Sequence, residues 1–341
     1  MRVGISIPVE EGLPIERLVA LAREAERCGY DTVVAGEVAG PDVFGLLTAV
    51  AVATERVSIG TGVVPMSTRP VGLLAMGFQT LASLAPGRVI AGVGVSSPTV
   101  IERWHGGTFA PPLAYVREFL PALRQALDGE KLALEGEYVR SRGFRTTLPP
   151  APRIPVVVGA MRPNMVGLSG ELADGAFLTW CPPEEAAERV ELVRDGARRA
   201  GRDPEELLIM ASFFGYAGPE VDAARERMRR YVMQYASVST HRDSFARSIP
   251  NLAEVEAAWQ AGDRQRAVEL ISDDSVDLLA PLGADAIAAR VRDLHAAGID
   301  LPIMVTTAAR PGDGDGPLAT IAAAAGPLGL TIARHESGVT R

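Results

Sequence analysis

The sequence predicts an α/β protein, a (β/α)8 TIM barrel with insertions after its fourth and seventh strands. Three observations carry that expectation. Short β-rich apolar runs alternate with amphipathic segments from the first residues onward, and eight such runs follow one another along 341 residues. The runs are dense in Val, Ile, Leu, Ala and Gly, with little polar alternation, as parallel strands covered by helices require. Hydrophobic residues make up 47% of the chain and charged residues 22%, so a large core is possible and wholesale disorder is not expected. An open doubly wound sheet is the structural alternative, because alternation alone does not prove closure.

Each element has a local reason. "RVGISIP" is the first strand; the helix over 14–28 carries Ile15, Leu18, Val19 and Ala22 on one stripe, and Gly29 stops it. "DTVVAG" is the second strand, and Asp42 is placed to cap a helix running to about Ala53. "RVSIGTGVV" is the third strand, residues 69–84 are helical, and "VIAGVGV" is the fourth strand. Residues 96–150 interrupt the alternation with a loop, a helix near 113–127 and the polar stretch "EGEYVRSRGFRTTLPP". "IPVVVGA", "GAFLTW" and "ELLIMASFFGYA" are the fifth to seventh strands, with helices from about Asn164 and over 184–200 between them. A mostly helical stretch, 219–280, is too long for a plain crossover. A helix over 284–297, the eighth strand "LPIMVTT" and an alanine-rich helix complete one domain over 1–341, with a frayed tail at about 330–341.

Composition narrows the function. A formal net charge of −8 without a basic cluster argues against nucleic acid or anionic lipid as partner. Cys28 and Cys181 are too few for a disulfide framework and are expected as buried or half-buried thiols. The opening residues form a strand at once, without the apolar stretch of a signal peptide, and no apolar run has the length of a membrane span. A soluble cytoplasmic protein with a small-molecule substrate is the expectation.

In a barrel the site lies at the carboxyl ends of the strands. That rule selects Pro8, Glu37, residues 61–64, 95–97, 159–162, 179–181 and 214–216, and Thr306. Glu37 follows a strand buried on both faces; it is a candidate general acid or cofactor contact, or equally a structural ion pair. Thr61, Gly62 and Val63 in "GTGVV", and Gly94, Val95, Ser96 and Ser97 in "GVGVSSP", offer backbone to a flat ligand or form small-residue turns. "GAMRPN" is the most informative turn. Gly159 and Ala160 leave the backbone open, Met161 and Arg162 follow, Pro163 sets the entry, and Asn164 can cap a helix whose first amides, near Met165, favour an anion. An ordinary capped helix with a surface arginine is the alternative. His105 lies beside Trp104 on a loop at the same end and is a weaker candidate for proton relay. The four histidines are scattered, and no HExxH, CxxC or GxSxG motif is present, so no metal is expected.

The segments "AREAERCGYDTVVAGEVAG", "TERVSIGTGVVP", "GVGVSSPTVIERWHGGTF", "REFLPALRQALDGE" and "IPVVVGAMRPNMVGLSGELADGAFL" occur in one order over most of residues 1–200. In that order they resemble the bacterial luciferase-like superfamily, and most closely its coenzyme F420-dependent oxidoreductase branch. The resemblance implies a cofactor ring at the barrel mouth, against a bulge after the third strand. That bulge often contains a non-prolyl cis peptide, here Gly62–Val63. It further implies a cofactor phosphate at 159–165, and homodimers are common in the family. Three departures weaken a sugar-phosphate substrate. Glu37–Val38 stands where such dehydrogenases carry Asp-His, Ser97 where they carry a glutamate, and Trp180–Cys181 where they carry a lysine.

The implied activity is hydride transfer between the deazaflavin C5 and a small, apolar or heteroaromatic C=C, C=N or C=O substrate. Glu37 is then the expected proton donor, with Ser97 and His105 behind it. Pro8, Trp180, Cys181 and Phe214 are expected to form the substrate wall. An FMN-dependent monooxygenase is the alternative, and a non-catalytic relative that keeps the barrel is a third reading.

Overall fold

A computed structural model describes residues 1–149, 152–237 and 245–331. Eight parallel strands form the barrel: β1 (Gly4–Ile7), β2 (Thr32–Ala35), β3 (Ser58–Thr61), β4 (Val89–Gly94), β5 (Val156–Ala160), β6 (Gly175–Leu178), β7 (Leu208–Gly215) and β8 (Leu301–Thr306). Their order is β3-β2-β1-β8-β7-β6-β5-β4. Pairing of Ile59 with Val89 and Gly60 with Ile90 closes the ring, which excludes the open sheet. Past the Gly62–Val63 bulge, Val64–Pro65 resumes the third strand and pairs with Val93 and Gly94.

Strand periodicity sorts the side chains. Val34, Ile90, Val157, Phe177, Met210, Leu301 and Ile303 fill the barrel interior. The intervening residues, such as Val33, Ile59, Ala91, Val158 and Ile209, pack outward against the helices. Those helices are α1 (Ile15–Cys28), α2 (Val43–Ala53), α3 (Val71–Leu84), α4 (Pro112–Leu127), α5 (Pro163–Leu172) and α6 (Pro183–Arg199). Local chemistry sets their ends as read from the sequence: Gly29 closes α1 at φ 88°, and the Asp42 carboxylate accepts from the Gly45 amide at 2.8 Å at the start of α2. Cys28 and Cys181 are buried free thiols.

The stretch after β4 holds a π-helical turn (Thr99–Trp104), α4, and a two-stranded hairpin, Ala133–Glu135 with Arg140–Arg142. The hairpin lies in the polar stretch that showed no period. Its strands are three residues long and mostly exposed, so they carry no apolar alternation. Between β7 and β8 stand α7 (Val221–Ala236), α8 (Leu252–Gln260), α9 (Arg264–Glu269), α10 (Asp273–Leu279) and α11 (Ala284–Ala296); α12 (Asp315–Ala325) follows β8. The helices α7 to α10 build a core of their own around Met228, Val232, Phe245, Ile249, Val255 and Ile271. The frayed tail expected from about 330 falls mostly outside the described residues. Among the described residues no helix is long and apolar enough to cross a membrane.

Candidate active site

A cavity opens at the carboxyl ends of the strands. Gly36, Gly62 and Phe177 line one part, Ser6, Pro8 and Glu10 another, and Phe214, Tyr231 and Tyr235 a third. The Gly62–Val63 peptide is cis, at the position implied by the family resemblance.

The glycines around this bulge have a specific task. A Cβ on Gly92 would fall 1.9 Å from the Thr61 carbonyl oxygen, and one on Gly94 would fall 2.6 Å from Val63 Cγ2. A Cβ on Gly159 would meet Val63 Cγ1 at 3.2 Å. The carboxyl-terminal parts of β4 and β5 are therefore bare at these glycines, and the Val63 side chain seats on them. The openness read at Gly94 and Gly159 serves the bulge, and the bulge presents Gly62 backbone to the cavity. Thr61 is buried, its hydroxyl donating to the Gly92 carbonyl at 2.5 Å.

In the turn after β5 the N-cap lies two residues earlier than the sequence reading placed it. Arg162, extended at ψ 145°, takes the N-cap position, Pro163 is the first helical residue and Asn164 the second. Asn164 therefore does not cap α5, and no side-chain hydrogen bond covers its start. Arg162, Pro163 and Asn164 are exposed, whereas Ala160 is buried in the core and Met165 nearly so. Met161 is half-buried against the core of the insertion.

Glu37 does not line the cavity. Both its oxygens bond the Arg69 guanidinium, one at 2.7 Å, and the Val43 amide donates to it at 3.2 Å. Asp42 pairs with the same arginine, and the Glu37 hydrogen bonds raise the Arg69 pKa. The structural ion pair weighed for Glu37 is thus present. Ser97 accepts from the Val100 amide at 3.4 Å, and His105 is exposed at the end of the π turn. Val95 packs on the main core, and Ser96 holds a positive φ of 62°.

Of the four residues expected in the substrate wall, Pro8 and Phe214 line the cavity. Trp180 is 2% exposed, in a left-handed turn at φ 48°, and stacks on the far side of Phe214 with centroids 4.4 Å apart. It also contacts Tyr235 and Phe245, so it plugs the insertion onto the end of β6. Buried Arg189, ion-paired with Glu185, donates to the Thr179 and Trp180 carbonyls and holds that turn. Cys181 points into the core, where burial pushes its thiol up to about 11.

Sequence reasoning missed the opposite wall. Glu10 and Glu11 follow β1; Tyr231 and Tyr235 project from α7. Glu11 is 5% exposed and pairs with Arg227, while the Tyr231 hydroxyl donates to it at 3.2 Å. Glu10 keeps exposed surface and, among the described residues, makes no hydrogen bond or ion pair. Desolvation by the surrounding wall, then the Glu11 charge, raises its pKa. Burial raises the Glu11 pKa too, against the Arg227 charge, and pushes the Tyr235 phenol up to about 12. Thr307 lines the cavity, and its buried hydroxyl has no hydrogen-bond partner among the described residues. A carboxylate pair directly after a strand was the one signal for this wall; the tyrosines lie in a helix with no motif.

The family model described as luciferase-like monooxygenase matches residues 1–301. The chain belongs to this family. Within it, a protein of Mycobacterium tuberculosis bearing the name coenzyme F420-dependent oxidoreductase is 30% identical over 332 residues, covering 90% of this chain and 95% of that protein. The 5,10-methylenetetrahydromethanopterin reductase of Methanolobus tindarius is 30% identical over 199 residues, 58% of this chain and 60% of the reductase. Among solved structures, the coenzyme F420-dependent tetrahydromethanopterin reductase of Methanopyrus kandleri superposes with a TM-score of 0.80 at 21% identity, covering 95% of this chain and 98% of that one. That likeness is one of fold, the luciferase-like barrel.

Proposed function

We propose that this luciferase-like protein is an F420-dependent oxidoreductase that moves hydride between the deazaflavin and a small unsaturated or carbonyl compound. The observation that carries the reading is the mouth cavity, walled by bare Gly62 backbone, in a chain aligned over nearly the whole of an F420-named relative. Two features fit the cofactor: a flat backbone surface at the bulge, and an uncapped α5 N-terminus beside Arg162 that suits a phosphate. When bound, the cofactor supplies hydride at C5 and, lacking N5, does not readily activate oxygen.

The remaining tasks fall to this chain. Gly62, Val63 and residues 95–97 would support the ring; Arg162 and the first amides of α5 would hold the phosphate. Phe214, Tyr231 and Tyr235 exclude water and make an apolar wall for the second reactant. Glu10, unpaired among the described residues and with a raised pKa, takes the proton-donor role first expected of Glu37. The pair that Glu37 makes with Arg69 suits a role in positioning the β2 turn. Exposed apolar Val52, Leu73 and Met76 on α2 and α3 support a homodimer, which the molar mass from light scattering checks.

A second reading is an FMN-dependent monooxygenase, favoured by the description of the family itself. Fluorescence titration separates the two. Saturable micromolar F420 binding without FMN-driven oxygen consumption supports the first; tight FMN binding with oxygen consumption and no F420 binding supports the second. Binding of neither would point to a non-catalytic relative.

A further inference from the structure

A cleft of about 450 Å³ runs beside the mouth, between α7 and the loop after β8. Three guanidinium groups line it, from Arg227, Arg230 and Arg310, against one carboxylate, Glu226. In a chain of net charge −8 this gathers three guanidinium groups on one wall, two of them ion-paired. The acids that pair with two of these arginines, Glu11 with Arg227 and Glu220 with Arg310 at 2.7 Å, are not part of the cleft lining. Glu226 is itself engaged by Arg229 at 3.3 Å. Arg230 is exposed and, among the described residues, has no hydrogen bond or ion pair. The buried Nε of Arg227 also lacks a partner.

The cleft adjoins the mouth. Tyr231 lines both, with Phe214 stacked beneath it at 5.8 Å and Arg227 over its ring at 5.4 Å. Val305, Thr306 and Thr307 line the mouth, and the same strand end continues into Ala309 and Arg310 at the cleft. On α7, residues 227, 230, 231 and 234 fall on one helical face, which explains how a single helix walls both spaces. A molecule with its reacting end against Phe214 and Tyr235 would extend past Tyr231 into arginine.

We propose that this cleft binds an anionic group, a carboxylate or phosphate, on the substrate whose reacting end enters the mouth. The proposal rests on the oxidoreductase reading for the mouth. Guanidinium forks match such oxyanions in geometry, and Arg230 can engage one without breaking an existing pair.

The test uses the full chain and inorganic pyrophosphate as probe, followed by NMR of the arginine Nε–H groups. Saturable millimolar binding is expected, with shifts at Arg230 and Arg310. Affinity should fall at least tenfold in the exposed double variant Arg230→Glu/Arg310→Glu, with its melting temperature as control for folding. F420 affinity should stay within twofold in that variant. Pyrophosphate binding that survives the double substitution, or produces no shift at these arginines, overturns the proposal. A tenfold loss of F420 affinity in the variant also overturns it, because the anion held there would then be the cofactor's own. Failure of the wild-type protein to bind F420 would instead defeat the reading of the mouth, while the pyrophosphate arm still reports on the cleft.

Discussion

The two sides of the barrel mouth are built from different materials. On the side of β3, β4 and β5, the surface is backbone: Gly62 at the bulge, Val63 seated on Gly92, Gly94 and Gly159, and the open start of α5. On the side of β1, β7 and β8 it is side chain: Glu10, Glu11, Phe214, Thr307, and two tyrosines and an arginine from α7. Backbone surfaces tolerate few substitutions, because a single Cβ collides, and they suit a cofactor of constant shape. Side chains carried on an inserted helix can change without disturbing the barrel, and they suit the variable reactant. The insertion is pinned to the barrel at Trp180 and by the Glu11–Arg227 pair.

The contrast can be broken at several points. The largest effect is expected for Gly92→Ala, whose Cβ would enter the Thr61 carbonyl. A loss of roughly 3 kcal/mol or more is expected in urea unfolding, and unchanged stability would show that the backbone side yields. Glu10→Gln should leave folding intact and slow reductive turnover by about a hundredfold. Its raised pKa sets the sign of the pH profile. The protonated acid is the working form, so wild-type activity falls as pH rises through that pKa, and the Gln variant loses this limb. A profile shared by both proteins would return the proton to another group. Arg162→Ala should weaken F420 about tenfold, as loss of one charge-assisted hydrogen bond does, with little change in melting temperature. Equal affinity would detach the phosphate from that turn. The smallest expected effect concerns the thiols. Burial pushes Cys28 and Cys181 each up to about 11, so at pH 8 both stay neutral and covered. Iodoacetamide should label neither in the native protein and both after unfolding.

The backbone side was legible in the sequence for a physical reason. Glycines at fixed places in apolar runs and a proline opening a helix are local statements about φ, ψ and capping, and strands of one barrel must end at one face. Thus residues 61–63 and 159–165 could be placed from local pattern. The use made of the glycines was not legible, since spacing does not show that Val63 fills the room they leave. Trp180 shows a second limit. Its place at a strand end suggested a cavity wall, but the left-handed turn swings it into the core of the insertion. Glu37 shows a third, because its partner Arg69 is 32 positions away and only the fold brings the two together. The side-chain wall was the least legible, since α7 carries no motif and its tyrosines gain meaning only against β1 and β8.

The most direct measurement is a crystal structure of the protein with F420 bound. The ring is expected against Gly62–Val63 and the phosphate at the Arg162 turn and the start of α5, with the Arg230–Arg310 cleft free of cofactor. Cofactor phosphate lodged among Arg227, Arg230 and Arg310 would contradict this arrangement.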